Sequence, residues 1–229
     1  MKRLLPNVTL LGLDCLDIDR LKLAADICQK DFEFGAVKLL SSVPDNDSRV
    51  IPIRSITTRE EYSRFFIKNV NDFVDTDFVL IIQYDGFILN PEAWTDDFLA
   101  YDYIGAPWWY KDNNNVGNGG FSLRSKRLLE VLQNDDAIQE FHPEDHVICR
   151  VYGDYLISRG IVFAPEKIAA RFSIEGALKF PSMPVKFGSI WTKEFGFHGL
   201  DKTDISGWIR LHPEYSILDL HKRDSHASD

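Results

Sequence analysis

Phe78-Val79-Leu80-Ile81-Ile82 is an unbroken run of five apolar residues. A strand with one face in water alternates apolar and polar side chains. A strand without a polar face has to be covered on both sides, as inside a parallel sheet. Upstream, Thr58-Arg59-Glu60-Glu61 forms a capping box, with Thr58 as N-cap and Glu61 at N3. The helix it opens places Tyr62, Phe65, Phe66, Val70, Phe73 and Val74 on one face.

Strand and helix signals alternate through the rest of the chain. Further strands are expected at 8–13, 36–40, 50–53, 104–108, 121–123 and 161–164, the third weakened by Pro52. Helices are expected at 18–32, from Ser125 through Leu132, and from Pro143 to a stop at Gly160. In the last of these, Pro143 takes the first helical position, where its missing N–H costs nothing. Its buried face carries Val147, Ile148, Val151, Tyr152, Tyr155 and Leu156. Beyond Arg171 periodicity fades among Gly, Pro and aromatic residues, so a loop-rich cover is expected there, with 223–229 frayed. The pattern predicts one α/β domain over residues 1–229, with an open, mostly parallel sheet flanked by helices.

The charge balance excludes some partners. The net charge is −9, and no basic run exceeds Lys126-Arg127 or Lys222-Arg223, so nucleic acid is not expected. Cys15, Cys28 and Cys149 are odd in number and form no CxxC pair, which indicates neither a disulfide framework nor a zinc ribbon. A reducing compartment follows. Pro6 and Asn7 interrupt the first 13 residues, and no apolar run of about 18 residues occurs. A soluble, cytoplasmic protein is expected, with peripheral docking at a membrane left open. Aromatics reach 13%; several lie near Gly, Pro and Asp, which suits a surface that stacks on sugars, and the others fill the core.

Three places carry chemistry. Val116-Gly117-Asn118-Gly119-Gly120-Phe121-Ser122-Leu123-Arg124-Ser125 sets three glycines around an Asn. Such a loop can present bare N–H groups to a sugar or phosphate, or serve as a plain turn. Gln83-Tyr84-Asp85-Gly86 follows the apolar strand, where ligands of open α/β sheets bind. Asp85 can hold a divalent cation there, or only stabilise the turn. Glu144-Asp145 opens a helix; the pair can complement the helix dipole, or one can act as general base. His142 and His146 are four residues apart, but Pro143 separates their geometry. His198, between Gly and Phe residues, is the better ligand candidate, or else a buried, hydrogen-bonded histidine.

The order of strand, Gln83-x-Asp85, Gly-rich segment, Glu144-Asp145 and His198 resembles a GT-A-type glycosyltransferase. The chain is most similar to a glycosyltransferase-like family that shares Val116-Gly117-Asn118-Gly119-Gly120-Phe121-Ser122-Leu123-Arg124-Ser125 and Tyr103-Ile104-Gly105-Ala106-Pro107-Trp108. More distantly it resembles the β-1,4-galactosyltransferases. The likeness covers most of 8–199 and implies a GT-A-like, Rossmann-like fold. It implies that Asp85 and His198 hold Mn²⁺ or Mg²⁺, with Gln83 standing where the family's first Asp would be. Asp145 would be the base, and Glu144 would hold acceptor or sugar hydroxyls. Gly119 and Gly120 would border the donor sugar, and residues 9–14, among them Thr9, Leu10 and Asp14, would cradle base and ribose.

The function implied is metal-assisted, inverting transfer of a sugar from a nucleotide donor, UDP-linked, to a glycan or other hydroxyl acceptor, as in polysaccharide biosynthesis. Retention stays open, because no nucleophile stands out. The loop 111–115 could order over the donor or be a surface turn. Gln83 keeps a second possibility alive, a carbohydrate or nucleotide-sugar binding domain without catalysis. A sugar nucleotidyltransferase is the third, though Leu11-Gly12-Leu13-Asp14 lacks the Arg or Lys expected of one. Sugar, acceptor and oligomeric state are not legible.

Overall fold

The computed structural model describes residues 1–112, 114–176 and 190–218. In chain order, β1 (Arg3–Leu13), α1 (Ile18–Asp31), β2 (Phe32–Ser41), β3 (Val50–Pro52), α2 (Arg59–Lys68) and β4 (Phe78–Ile82) form the first half. Then come β5 (Tyr103–Ile104), β6 (Ala106–Pro107), β7 (Val116–Gly117), β8 (Ser122–Ser125) and α3 (Lys126–Asn134). The chain continues with α4 (Glu144–His146), α5 (Gly153–Ser158), α6 (Glu166–Phe172), β9 (Ser173–Glu175), β10 (Gly196–His198) and α7 (Ser206–Leu211). A six-stranded sheet has the order β3-β2-β1-β4-β8-β5. Its first four strands are parallel, and β8 runs antiparallel to both β4 and β5. This is the mixed α/β, mostly parallel sheet that the apolar run predicts.

Side chains alternate between two cores. Leu10, Leu80 and Ile82 pack with Leu21, Ala24 and Cys28 of α1. Leu11, Val79 and Ile81 pack on the other face with Phe65 and Phe66 of α2 and Leu129 of α3. Each such side chain contributes roughly 1.5–3 kcal/mol when fully enclosed, which explains why β4 carries no polar residue. Phe121, Phe172 and Phe195 join Phe98 and Trp94 in the first core, Trp94 meeting Phe98 and Phe195 edge-to-face and Phe121 stacking on Phe172. Many of the aromatics therefore build the interior.

The local signals act as expected at several points. Thr58 Oγ1 accepts from Glu61 N at 3.1 Å, while the Glu61 carboxylate reaches back to Thr57 N. Ser125 Oγ accepts from Leu128 N and caps α3. Gly160, at φ +85°, ends α5.

Other boundaries differ, each for a physical reason. β1 begins at Arg3, because Pro6 sits where the β1–β2 register shifts, between Leu5 and Thr9. Gly35 makes that irregularity fit, since a Cβ there would overlap the Pro6 carbonyl. The helix expected from Pro143 is three pieces, α4, a wider π-type turn at Val147–Val151, and α5, and Pro143 caps it from outside. Residues 161–164 form no strand; a single bridge, Tyr103 to Phe163, ties them to the sheet edge. The C-terminal part holds a parallel β9–β10 ladder and α7. Lys222-Arg223 and the 223–229 end lie outside the described residues. No described helix is long and apolar enough to cross a membrane.

Candidate active site

Beyond β4 the backbone closes a tight turn, with Gln83 N donating to Gly86 O at 3.0 Å and Gly86 N to Gln83 O at 3.1 Å. The turn presents Asp85 at the carboxyl end of the parallel strands. Gly199 N donates to the Asp85 carbonyl at 2.8 Å, so the chain after β10 is pinned to this turn. That contact brings His198 to Asp85, with Nε2 and Oδ1 3.7 Å apart.

His198 is held from three sides. Nε2–H donates to Gln83 Oε1 at 3.0 Å, and Gln83 Nε2 donates to the Tyr62 hydroxyl at 2.6 Å. Nδ1–H donates to Glu175 Oε1, also at 3.0 Å. Burial alone would pull the imidazole pKa down, but Asp85 and Glu175 outweigh it and hold it at about 9. Burial pushes the Asp85 carboxyl up against the opposing pull of His198. Asp85 Oδ1 is enclosed and has no hydrogen-bond partner.

The Gly-rich loop packs between this cluster and the acidic pair. A Cβ on Gly120 would overlap the His198 ring, and a Cβ on Gly119 would overlap the Glu144 carboxylate. Asn118 takes φ +73°, and its Oδ1 accepts from Gly120 N at 3.1 Å. Gly119 N donates to Asp145 Oδ2 at 3.2 Å, and His146 N donates to Asp145 Oδ1 at 2.8 Å. Burial, then the neighbouring charges of Glu144 and Glu175, push the Asp145 carboxyl up to about 7. Asp145 keeps some solvent exposure, whereas Glu144 is buried and bonded through Oε1 to Arg124 Nη2 at 2.8 Å.

Gln83, Asp85, Gly119, Gly120, Glu144, Asp145 and His198 thus converge from separate parts of the chain. Thr9 and Leu10 do not join them. Both are fully buried inside β1, and Thr9 Oγ1 pairs with Thr76 Oγ1 at 2.7 Å. Within 9–14, Asp14 reaches the strand end, where Oδ1 accepts from Leu16 N and Asp17 N and Oδ2 pairs with Arg20 Nε at 2.6 Å. His142 Nδ1 bonds Ser63 Oγ at 2.8 Å.

Two participants escaped the sequence. Glu175 sits on a three-residue strand without periodicity. Arg124 announced itself only as a charge in an otherwise enclosed strand, a signal that calls for a buried partner. A groove of about 640 Å³, lined by Asp112, Val116, Cys149, Phe163 and Glu166 among others, includes none of the converging side chains.

Among the described residues no three His, Cys, Asp or Glu side chains form a ready metal shell. The donor chemistry nevertheless fits a hard divalent cation. Asp85 offers an unpartnered buried oxygen and His198 an imidazole nitrogen, and such ions are commonly completed by substrate phosphates. A metal would have to displace the proton on His198 Nε2.

A family model described as protein of unknown function (DUF5672) matches residues 47–185, more than half of the chain. The chain belongs to this family. No curated protein matches it. The fold is similar to that of a mannosyltransferase from Pyrobaculum calidifontis, solved with GDP-Man and Mn²⁺, at 12% identity and a TM-score of 0.42, over 69% of this chain and 54% of that one. It is also similar to a glycosyltransferase involved in glycosylating the major capsid of PBCV-1, at 12% identity and 0.45, over 90% and 98%. A third similar structure is the apo form of glycosyltransferase GlyE from Streptococcus pneumoniae TIGR4, at 14% and 0.39, over 73% and 46%. The chain thus spans about half the length of the mannosyltransferase and of GlyE.

Proposed function

We propose that this chain is a glycosyltransferase, one catalytic domain that moves a sugar from a nucleotide donor to an acceptor hydroxyl with inversion. The observation that carries this is Asp145, a partly exposed carboxyl pushed up to about 7 and aimed by two backbone N–H donors, one of them from the glycine-rich loop. A general base works best with a pKa near the working pH. The sequence resemblance to GT-A enzymes, and more distantly to β-1,4-galactosyltransferases, supports the same assignment.

In this reading Asp145 takes the proton from an acceptor hydroxyl as its oxygen bonds the anomeric carbon. The bond from that carbon to the donor's diphosphate breaks, with the electron pair leaving on the phosphate oxygen. Gly119 and Gly120 let the backbone lie against the donor sugar. Glu144, with Oε1 held by Arg124, turns toward hydroxyls with its remaining oxygen. Asp85 and His198 would hold Mn²⁺ or Mg²⁺, which would supply charge neutralisation for the departing diphosphate. The nucleoside end belongs at the carboxyl end of β1, at the loop that follows Asp14, since Thr9, Leu10 and Asp14 are buried. A UDP-linked sugar is the first donor to try, and a glycan the first acceptor.

Asp145→Asn tests the reading. It keeps the shape of the side chain but accepts no proton at neutral pH. A panel of UDP-, GDP-, CMP- and dTDP-sugars, screened by thermal shift with and without Mn²⁺, identifies the donor. The variant should bind that donor as the parent does and transfer its sugar about 10²–10⁴-fold more slowly. Unchanged transfer in both Asp145→Asn and Glu144→Gln would remove the acidic pair from the mechanism. Donor binding without turnover in the parent would favour the non-catalytic binding domain, for which Gln83 bonded to His198 is the supporting contact.

A further inference from the structure

We infer that Arg124 is a positioning residue for Asp145, acting through both chain segments that place the carboxyl. The inference rests on the proposed role of Asp145 as the base. The Arg124 guanidinium is fully enclosed, between the rings of Tyr103 and Phe66 at 5.3 and 5.8 Å. Such burial of a charge is unfavourable unless it is paired. Its partners come from two places. Nη2 donates to Glu144 Oε1 at 2.8 Å, one residue before Asp145. The same Nη2 lies 3.4 Å from the Gly119 carbonyl, while Gly119 N donates to Asp145 Oδ2. Nε donates to Ser122 Oγ at 3.1 Å, and Ser122 Oγ donates to the Gly119 carbonyl at 3.2 Å. One planar group therefore fixes the glycine that holds Asp145 and the glutamate that precedes it.

The geometry is specific to a guanidinium. A lysine at 124 keeps the charge but has no planar fork to span Glu144, Gly119 and Ser122 together. Nη1 is buried without a partner, so Arg124 is not there to maximise its own bonding. Glu144 and Glu175 are the acidic side chains whose charges raise the Asp145 carboxyl, and Arg124 is ion-paired with Glu144.

The Gly119 amide donates to Asp145 and gives a reporter that needs no sugar donor. In ¹⁵N-resolved NMR spectra of the parent, the Gly119 amide should titrate with a midpoint of about 7. In Arg124→Lys this titration should lose most of its amplitude, and transfer should fall at least tenfold with donor affinity within about twofold of the parent. Arg124→Met/Glu144→Gln removes both charges, avoids a stranded buried ion, and should move the midpoint down by a unit or more. If Arg124→Lys keeps the parental Gly119 titration and the parental transfer rate, Arg124 is only a buried strut and the inference fails. If Arg124→Lys loses the Gly119 titration while Asp145→Asn transfers normally, Arg124 still positions Asp145 but the base assignment is wrong. If the double variant leaves the midpoint unmoved, the Glu144 charge does not act on Asp145 and that part of the inference is overturned.

Discussion

Glu175 and His198 stand directly opposite each other in the β9–β10 ladder, with Glu175 Oε1 3.0 Å from His198 Nδ1. Two parallel three-residue strands are enough to set this pair, and the turn pinned to the Asp85 carbonyl sets its distance from the sheet. The arrangement makes the electrostatics of the site testable without a substrate.

In metal-free protein, His198 should titrate at about 9, above the ordinary imidazole value of about 6.5, because Asp85 and Glu175 face it. A raised value means that the folded state binds the proton more tightly. Its contribution to stability is full below about pH 6.5 and is lost as pH rises through about 9. Melting temperature should therefore decline across that window. Glu175→Gln removes one of the charges that raise His198, so the decline should shrink. Parallel melting curves for parent and variant across this range would sink the assignment.

The two site glycines should not tolerate a methyl group. Gly119→Ala drives a Cβ into Glu144, and Gly120→Ala drives one into His198. Overpacking of this kind costs about 1–3 kcal/mol. Urea titration should show that loss, and donor binding should weaken in step. Gly153→Ala is the control, because the nearest atom to its Cβ is 3.7 Å away and α5 begins there. It should leave the fold intact or stabilise it by up to about 1 kcal/mol.

Asp85 carries the orphaned oxygen that a cation would satisfy. Calorimetric UDP binding should weaken on adding chelator, and Asp85→Asn should show the weakened affinity whether or not Mn²⁺ is added. Equal affinity of the parent with Mn²⁺ and with chelator would decide against a metal at this position.

Removing one partner of an enclosed ion pair strands the other. Glu144→Gln leaves Arg124 buried without its 2.8 Å partner, which should cost about 3–5 kcal/mol in urea unfolding. The loss should be much smaller in Arg124→Met/Glu144→Gln, where no charge is left behind. A single-variant loss below about 1 kcal/mol would mean that water reaches Arg124 readily.

The sequence determined what neighbours along the chain can decide. Phe78-Val79-Leu80-Ile81-Ile82 has no polar face, so it had to be an inner strand of a covered sheet. Thr58, Ser125 and Gly160 act within three or four residues of their own positions, and the helix ends they signal are where the structure has them. The converging residues were legible as types, an acidic turn after a strand, a glycine-rich loop and an acidic pair. Their partners were not. Arg124 with Glu144, His198 with Glu175, and Gln83 with both Tyr62 and His198 are contacts across 20 to 115 residues. Strand register and the packing of loops against β4 choose those partners, and no local periodicity encodes them. The burial of Thr9 and Leu10 was decided in the same way. A strand end looks open in sequence, and only the helices and strands packed around β1 show where water stops.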